Sequence, residues 1–351
     1  MFNNFVRKFG RCSILSCFIA LSIFILPMMS DDALASDKEM TLTMANYIPV
    51  GYPYFYEIQS LFVDMVNKRG KGIVKIDVYW GGTLLKPKQL LPGLQAGTAD
   101  LINIPSSYLL GSFPILGIHS LPLWKTLNAT YESNKIGTPL TKLINKELKK
   151  KNIIDLASSG IIPEFIWTRK KLVRTPGDLK GLKIRTSGKV ASKAMQILGA
   201  VPVTLPSAEL PLALQRGVVD GAVINPWTAQ GRGVEDYCKY MLIYPFTGIA
   251  NPIFVQNEKW NKWPKDVRKV MTDVAVEWES KSLGPANAVI NDTQIKNKLL
   301  PYYEGKGVKM ITLSKDEEKL FDTAVKPLID WWVKSVGSEL GNKAVDYARE
   351  R

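Results

Sequence analysis

The chain has 351 residues, with 46 lysines and arginines against 32 acidic residues, a formal charge of +14 and a single histidine. One histidine excludes a histidine-based zinc cluster, and basic residues scattered without arginine-rich runs or aromatic-interleaved RNA motifs exclude nucleic acid as the expected partner. The positive excess suits small acids instead, whose local concentration it would raise.

The amino terminus reads as an export signal. Arg7, Lys8 and Arg11 precede an apolar run from Ile14 to Met29, and Ala33-Leu34-Ala35 supplies small residues for cleavage. That run is interrupted by Pro27 and is short for a permanent anchor. Cys17 stands too early in it for a lipoprotein site. Removing 35 of the 351 residues leaves 316, and with three positive and two negative charges gone the net charge becomes +13. That length suits one large or two medium domains. Cys12 and Cys17 leave with the signal, so Cys238 alone reaches an oxidising compartment and no intramolecular disulfide is expected. No later stretch of about 18 uncharged apolar residues occurs, so the expectation is a soluble periplasmic protein.

From residue 40 the sequence MTLTMANYIP alternates as a strand running into a loop. Phe55, Ile58, Leu61, Phe62, Met65 and Val66 then fall on one helical stripe, closed by Gly70 to Gly72. IVKIDVYW (73–80) alternates as a second strand, so the chain opens as a parallel α/β layer. An internal echo follows: LQAGTADLINIP (94–105) resembles LQRGVVDGAVINP (214–226). Each reads as a helix end, a glycine in a turn, then Asp100 or Asp220 opening a strand. The spacing of 120 residues fits two similarly built lobes.

The second lobe is expected to begin near residue 160 with IIPEFIW. Strand LKIRT, helix VASKAMQIL ending at Gly199, strand VPVTL, a helix around AELPLALQ and strand GAVIN follow, with Pro206, Pro211 and Pro226 at element ends. NPIFVQNEKW (251–260) reads as a strand. Pro264 opens a long helix with Val267, Val270, Met271, Val274 and Trp278 on one face. Ser314 and Glu317 form a capping box for a final helix whose buried stripe is Phe321, Val325, Leu328 and Trp332.

Catalytic signatures do not emerge. His119 sits among apolar neighbours in GIHSLPL and reads as structural. GxSxG, HExxH and phosphate-loop motifs do not occur, and GRGVED (231–236) lacks the last glycine of a dinucleotide fingerprint. Neither a metal nor a cofactor is expected. What converges is a set of strand ends, where open α/β sheets bind ligands. These are Asn46, then Ser106 and Ser107 with Tyr108 beside them, in the first lobe, and Arg185 with Ser187 close behind it, then Asn225 and Trp227, in the second. Arg185 is the expected carboxylate anchor, because its planar fork can grip a carboxylate through two parallel hydrogen bonds; the alternative is a surface arginine at a strand end.

These segments resemble the dicarboxylate-type (DctP) solute-binding proteins of tripartite ATP-independent periplasmic (TRAP) transporters. The resemblance is carried by DLKGLKIR (178–185), LGAVPVTLPSAELPLALQRGVVDG (198–221), NPIFVQNEKWNKWPKDVRKVM (251–271) and VYWGGTLLKPKQLLPGLQAGTADL (78–101). It implies an α/β fold of two lobes, a type II-like periplasmic binding protein, joined by crossing segments and a long spanning helix. Lobe I is then residues 36–160 plus about 250–290, and lobe II 161–249 plus about 291–351. It also implies no enzyme activity, capture of a small carboxylate in the cleft, and delivery to TRAP permease subunits in the membrane. The resemblance makes Arg185 the salt-bridge partner of the substrate and matches Asn46 and Asn225 to polar site positions. Many relatives carry a second arginine about twenty residues before the KIR motif, where this chain has Glu164-Phe165-Ile166-Trp167. With Trp167, Trp227 and Tyr108 nearby, the expected solute is a more apolar acid than a sugar acid. Competing readings are a subunit presenting its ligand to a membrane sensor and a hydrolase on the same frame.

Overall fold

The computed structural model describes residues 39–123, 127–283 and 295–349. The expected signal segment, with Cys12 and Cys17, lies outside them. Among the described residues nine strands form one mixed sheet, in the order β2 (Val74–Tyr79), β1 (Met40–Asn46), β3 (Leu101–Asn103), β8 (Tyr240–Gln256), β4 (Ile153–Thr168), β7 (Gly221–Ile224), β5 (Lys183–Thr186), β6 (Val201–Thr204), with β9 (Lys309–Ile311) added to β8. Its centre is made of β4 (Ile153–Thr168) and β8 (Tyr240–Gln256), antiparallel to one another along their length. These two strands run through both halves of the sheet.

In the first half β1 (Met40–Asn46) pairs in parallel with β2 (Val74–Tyr79) and β3 (Leu101–Asn103), and β3 joins the carboxyl end of β8. In the second half β5 (Lys183–Thr186) pairs in parallel with β6 (Val201–Thr204) and β7 (Gly221–Ile224), and β7 joins the carboxyl end of β4. β9 (Lys309–Ile311) closes onto the amino end of β8. The plan of the two halves is the same.

The repeated LQxGxxD segment builds that plan twice. In the first half α2 (Leu90–Ala96) ends at Gly97, whose φ of 80° is the left-handed conformation that glycine adopts without a Cβ penalty. The Asp100 backbone N–H then donates to the Thr43 carbonyl (2.8 Å), and Thr43 N–H donates back to the Asp100 carboxylate (2.9 Å). In the second half the helix Leu210–Gln215 is followed by Gly217 at φ 71°. Asp220 exchanges the same two bonds with Lys183, at 2.7 and 2.9 Å. The echo is therefore a duplicated joint that ties the start of a strand to the middle strand of its half.

Most elements fall where the periodicity places them. The helix α1 (Phe55–Arg69) buries Phe55, Phe62 and Val66 but leaves Leu61 exposed. The helix opened by Pro264, Lys265–Leu283, buries Val267, Val270, Met271, Val274 and Trp278 against α1 and β4. The Trp278 indole N–H donates to the Ile58 carbonyl at 2.7 Å. Among the described residues no helix is long and apolar enough to cross a membrane.

Two readings need correction. The strand expected over 251–260 begins at Tyr240 and ends at Gln256, and Asn257–Lys262 is helical. Pro245, Gly248 and Pro252 disguise it, because such residues ordinarily end strands; here they lie in a strand whose partner carries three register shifts. The single helix opened by the Ser314 capping box is two, Lys315–Val325 and Pro327–Val336, interrupted at Lys326 just ahead of Pro327, although Phe321, Val325, Leu328 and Trp332 are all buried as expected. The last helix, Ser338–Arg349, packs on the preceding helix Pro327–Val336 and also on Leu127–Asn134 and Pro139–Lys149, and its Ala348 carbonyl accepts from the Ser133 hydroxyl at 3.0 Å.

Candidate functional site

Arg185 stands near the end of the middle strand of the second half and is 1% exposed. Its guanidinium donates through Nε to the Leu205 carbonyl (2.9 Å), through Nη1 to the Val223 carbonyl (3.3 Å) and through Nη2 to the Tyr108 hydroxyl (3.3 Å). All three acceptors are neutral. None of the ion pairs among the described residues includes Arg185. A buried, unpaired guanidinium is costly, and a carboxylate is the partner that its geometry fits.

Arg185 lines a cavity of about 20 Å³, room for about one water, whose walls come from both halves. Tyr47, Tyr52, Tyr108 and Asn251 contribute from one side and Glu164, Ser207, Asn225 and Thr228 from the other. Beside it a groove of about 530 Å³ runs between Ser107, Tyr108 and Leu110 of the first half and Ser187, Lys189 and Pro206 of the second. Tyr108 belongs to both spaces.

The walls are held together by tyrosines. Tyr47 shares a hydrogen bond with the Ser207 hydroxyl (2.7 Å) and with Tyr108 (3.2 Å), while Ser207 N–H donates to the Tyr108 hydroxyl (2.7 Å). Burial holds the Tyr108 phenol far above its ordinary value, so it meets Arg185 as a neutral group. Tyr52 donates to the Thr228 carbonyl, and the Arg232 guanidinium lies over the Tyr52 ring at 5.0 Å. Tyr54 stacks on Trp227 with centroids 4.5 Å apart. It has a φ of 61°, a left-handed conformation unusual for a bulky side chain, at the start of α1. A Cβ on Gly188 would overlap the Ser107 carbonyl. Only a residue without a side chain permits that approach.

Glu164 sits opposite. A register shift in β4 lies between Glu164 and Ile166, and the carboxylate, 1% exposed, accepts from the Thr247 hydroxyl at 2.9 Å. Burial pushes its pKa up to about 7, partly offset by the Arg185 charge and the Thr247 bond.

The expected site residues divide between two spaces and the core. Arg185, Asn225 and Tyr108 line the cavity, and the Asn225 side chain also accepts from Thr228 N–H (2.8 Å) to cap the following helix. Ser187 and Ser107 line the groove instead. Ser106 is wholly buried, and the Asn46 side-chain oxygen accepts from the Ile48 N–H (2.9 Å) while its amide nitrogen is buried without a partner among the described residues; its neighbours Tyr47 and Ile48 line the cavity. Trp227 reaches the site only through Tyr54. Trp167 does not line the cavity: its indole N–H donates to the Ile224 carbonyl (3.0 Å) and its ring meets Tyr303 edge-on, because hydrophobic packing claims it. Tyr47, Tyr52, Tyr54, Ser207 and Arg232 went unread in the sequence, although YIPVGYPYFY directly after the first strand is conspicuously rich in tyrosine.

His119 is buried, and burial pushes its pKa down to about 4, so it is neutral. Cys238 is buried and free. Among the described residues no group of three or more histidine, cysteine or acidic side chains could hold a metal.

Residues 44–335 match the family of bacterial extracellular solute-binding proteins, family 7, known as DctP. This chain belongs to the DctP family. A solute-binding protein of Albidiferax ferrireducens is 29% identical over 72% of this DctP protein and 73% of its own length. A monocarboxylate 2-oxoacid-binding periplasmic protein of a Nostoc species is 26% identical over 76% of each chain. The fold matches the crystal structure of a TRAP periplasmic solute-binding protein from Rhodoferax ferrireducens with bound malonate, with a TM-score of 0.78 at 24% identity, covering 88% of this chain and 97% of that one. The two-lobed α/β fold is thus that of TRAP solute-binding proteins.

Proposed function

We propose that this protein is exported by its amino-terminal leader, captures a small carboxylate between two lobes through Arg185, and delivers it to a TRAP permease. The observation that carries the reading is the buried guanidinium of Arg185, which faces the cavity with neutral acceptors alone in hydrogen-bonding reach. The 3.3 Å bond to Tyr108 is long enough for a solute carboxylate to replace it.

In this reading the lobes are the two sheet halves, with β4 and β8 as the crossing segments. The register shifts of β4 between Ser158 and Ile161, around Gly160 at φ 72°, provide the flexing point. The cavity holds about one water, so the lobes part to admit a solute, and closure brings the tyrosines and Gly188 back into contact. Interactions available only when the lobes are closed shift the population toward that form once the acid is bound.

The test is a thermal-shift panel that pairs carboxylic acids with their neutral amides. An acid at a hundred times its Kd should add about 2.7 kcal/mol to stability, and its amide should add little. Equal shifts from acids and amides, or none from any acid, would remove Arg185 as the anchor.

A further inference from the structure

The cavity presents a buried guanidinium and a buried carboxyl group with no salt-bridge contact between them. Arg185 and Glu164 both line it, each is 1% exposed, and no ion pair among the described residues includes either of them. The Thr247 hydroxyl satisfies one Glu164 oxygen, Oε2; the other, Oε1, has no hydrogen-bond donor among the described residues. A carboxylate so placed asks for a donor. It also rejects a second carboxylate, because two like charges desolvated side by side repel strongly.

We propose, resting on the assignment of Arg185 as anchor, that the solute carries one carboxylate for Arg185 and a hydrogen-donating nitrogen, an ammonium or a lactam N–H, for Glu164. The solute class is then an amino or lactam acid and not a simple dicarboxylate. The neighbouring groups agree. Tyr47, Tyr52 and Tyr108 supply neutral aromatic walls, and Asn225 already spends its oxygen on the helix cap. Arg232 is turned to Ser207 and the Tyr52 ring and does not line the cavity, so it offers no second cation for a second carboxylate. A protonated Glu164 could accept a dicarboxylate, but such binding would take up a proton and weaken as pH rises.

Calorimetric titration with matched probes decides the matter. The pairs are alanine and lactate, proline and tetrahydrofuran-2-carboxylate, pyroglutamate and the lactone acid with oxygen in place of its ring nitrogen, and aspartate and succinate, run at pH 8 on the wild-type protein, Glu164→Gln and Arg185→Ala. The proposal expects the nitrogen-bearing member of the best pair to bind at least tenfold tighter, and this preference to collapse in Glu164→Gln. Alanine against pyroglutamate separates an ammonium from a lactam donor. Buffers of different ionisation enthalpy at pH 7 should report proton release on binding of an ammonium probe. Equal or better binding of the nitrogen-free members by wild-type protein overturns the proposal without needing a folded variant, as does a preference that survives intact in Glu164→Gln. If acids still bind and lose that binding in Arg185→Ala, the carboxylate anchor stands even so; if Arg185→Ala binds every acid as before, the anchor itself has failed.

Discussion

The two halves of the sheet share a frame and differ in what they place at its edge. Asp100 and Asp220 make the same pair of bonds to the middle strand of each half, yet β1 ends in Asn46, folded back on its own turn, while β5 carries Arg185 into the cavity. The first half then contributes tyrosines and the second contributes charge. Duplicated backbone joints fix where strand ends lie; the chemistry at those ends is free to diverge because it carries little of the fold.

The sharpest way to break the asymmetry is Arg185→Ala. Loss of a desolvated charge pair should weaken acid binding by about 2–5 kcal/mol, measured by titration, with folding retained. Removing the corresponding polar group of the first half, Asn46→Ala, should act on stability, through the lost Ile48 N–H acceptor, far more than on affinity.

Closure offers the next test. Gly188→Leu sets a side chain against the Ser107 carbonyl, so X-ray scattering should show a protein that no longer compacts when an acid is added, whereas wild type should compact. Isolated changes at the duplicated joint, Asp100→Ala and Asp220→Ala, should each cost about 1 kcal/mol of unfolding free energy, the ordinary net worth of a hydrogen bond, since the Thr43 bond is only partly buried and the Lys183 bond is open to water. Asp100 also pairs with Lys259 at 2.8 Å, a partly exposed bridge that adds little. Unequal costs well beyond that margin would show that the joints are not equivalent.

The pH dependence follows from carboxyls held above their ordinary range. Burial raises Glu164 and Asp155 to about 7 and Glu279 to about 8, so between roughly pH 5 and 8 the folded state holds protons that the unfolded chain has released. The contribution of these three groups to stability is then greatest below the unfolded carboxyl pKa and falls as pH rises through the folded values, which denaturant unfolding across that range would reveal. The smallest effect is expected from Tyr108→Phe, which removes one long bond to Arg185 and should change acid affinity only a few-fold.

Much of this frame was legible because periodicity and turn chemistry are local. Asp100, Gly97, Asp220 and Gly217 gave away the joint, and Arg185 and Asn225 gave away the strand ends. The long strands were not legible: β4 and β8 run through prolines and glycines that ordinarily break strands, and they persist because each supports the other. Glu164 stood out in the sequence only as a missing arginine. Its place in the cavity depends on a register shift that no local pattern encodes. Trp167 misled for the opposite reason, since an aromatic near a motif is as readily claimed by the core.

The most direct measurement is a titration of one well-bound acid and its amide into wild-type protein and Arg185→Ala. The account predicts that wild type binds the acid at least thirtyfold tighter than the amide and that Arg185→Ala binds the two alike. A variant that keeps the wild-type preference for the acid would contradict it.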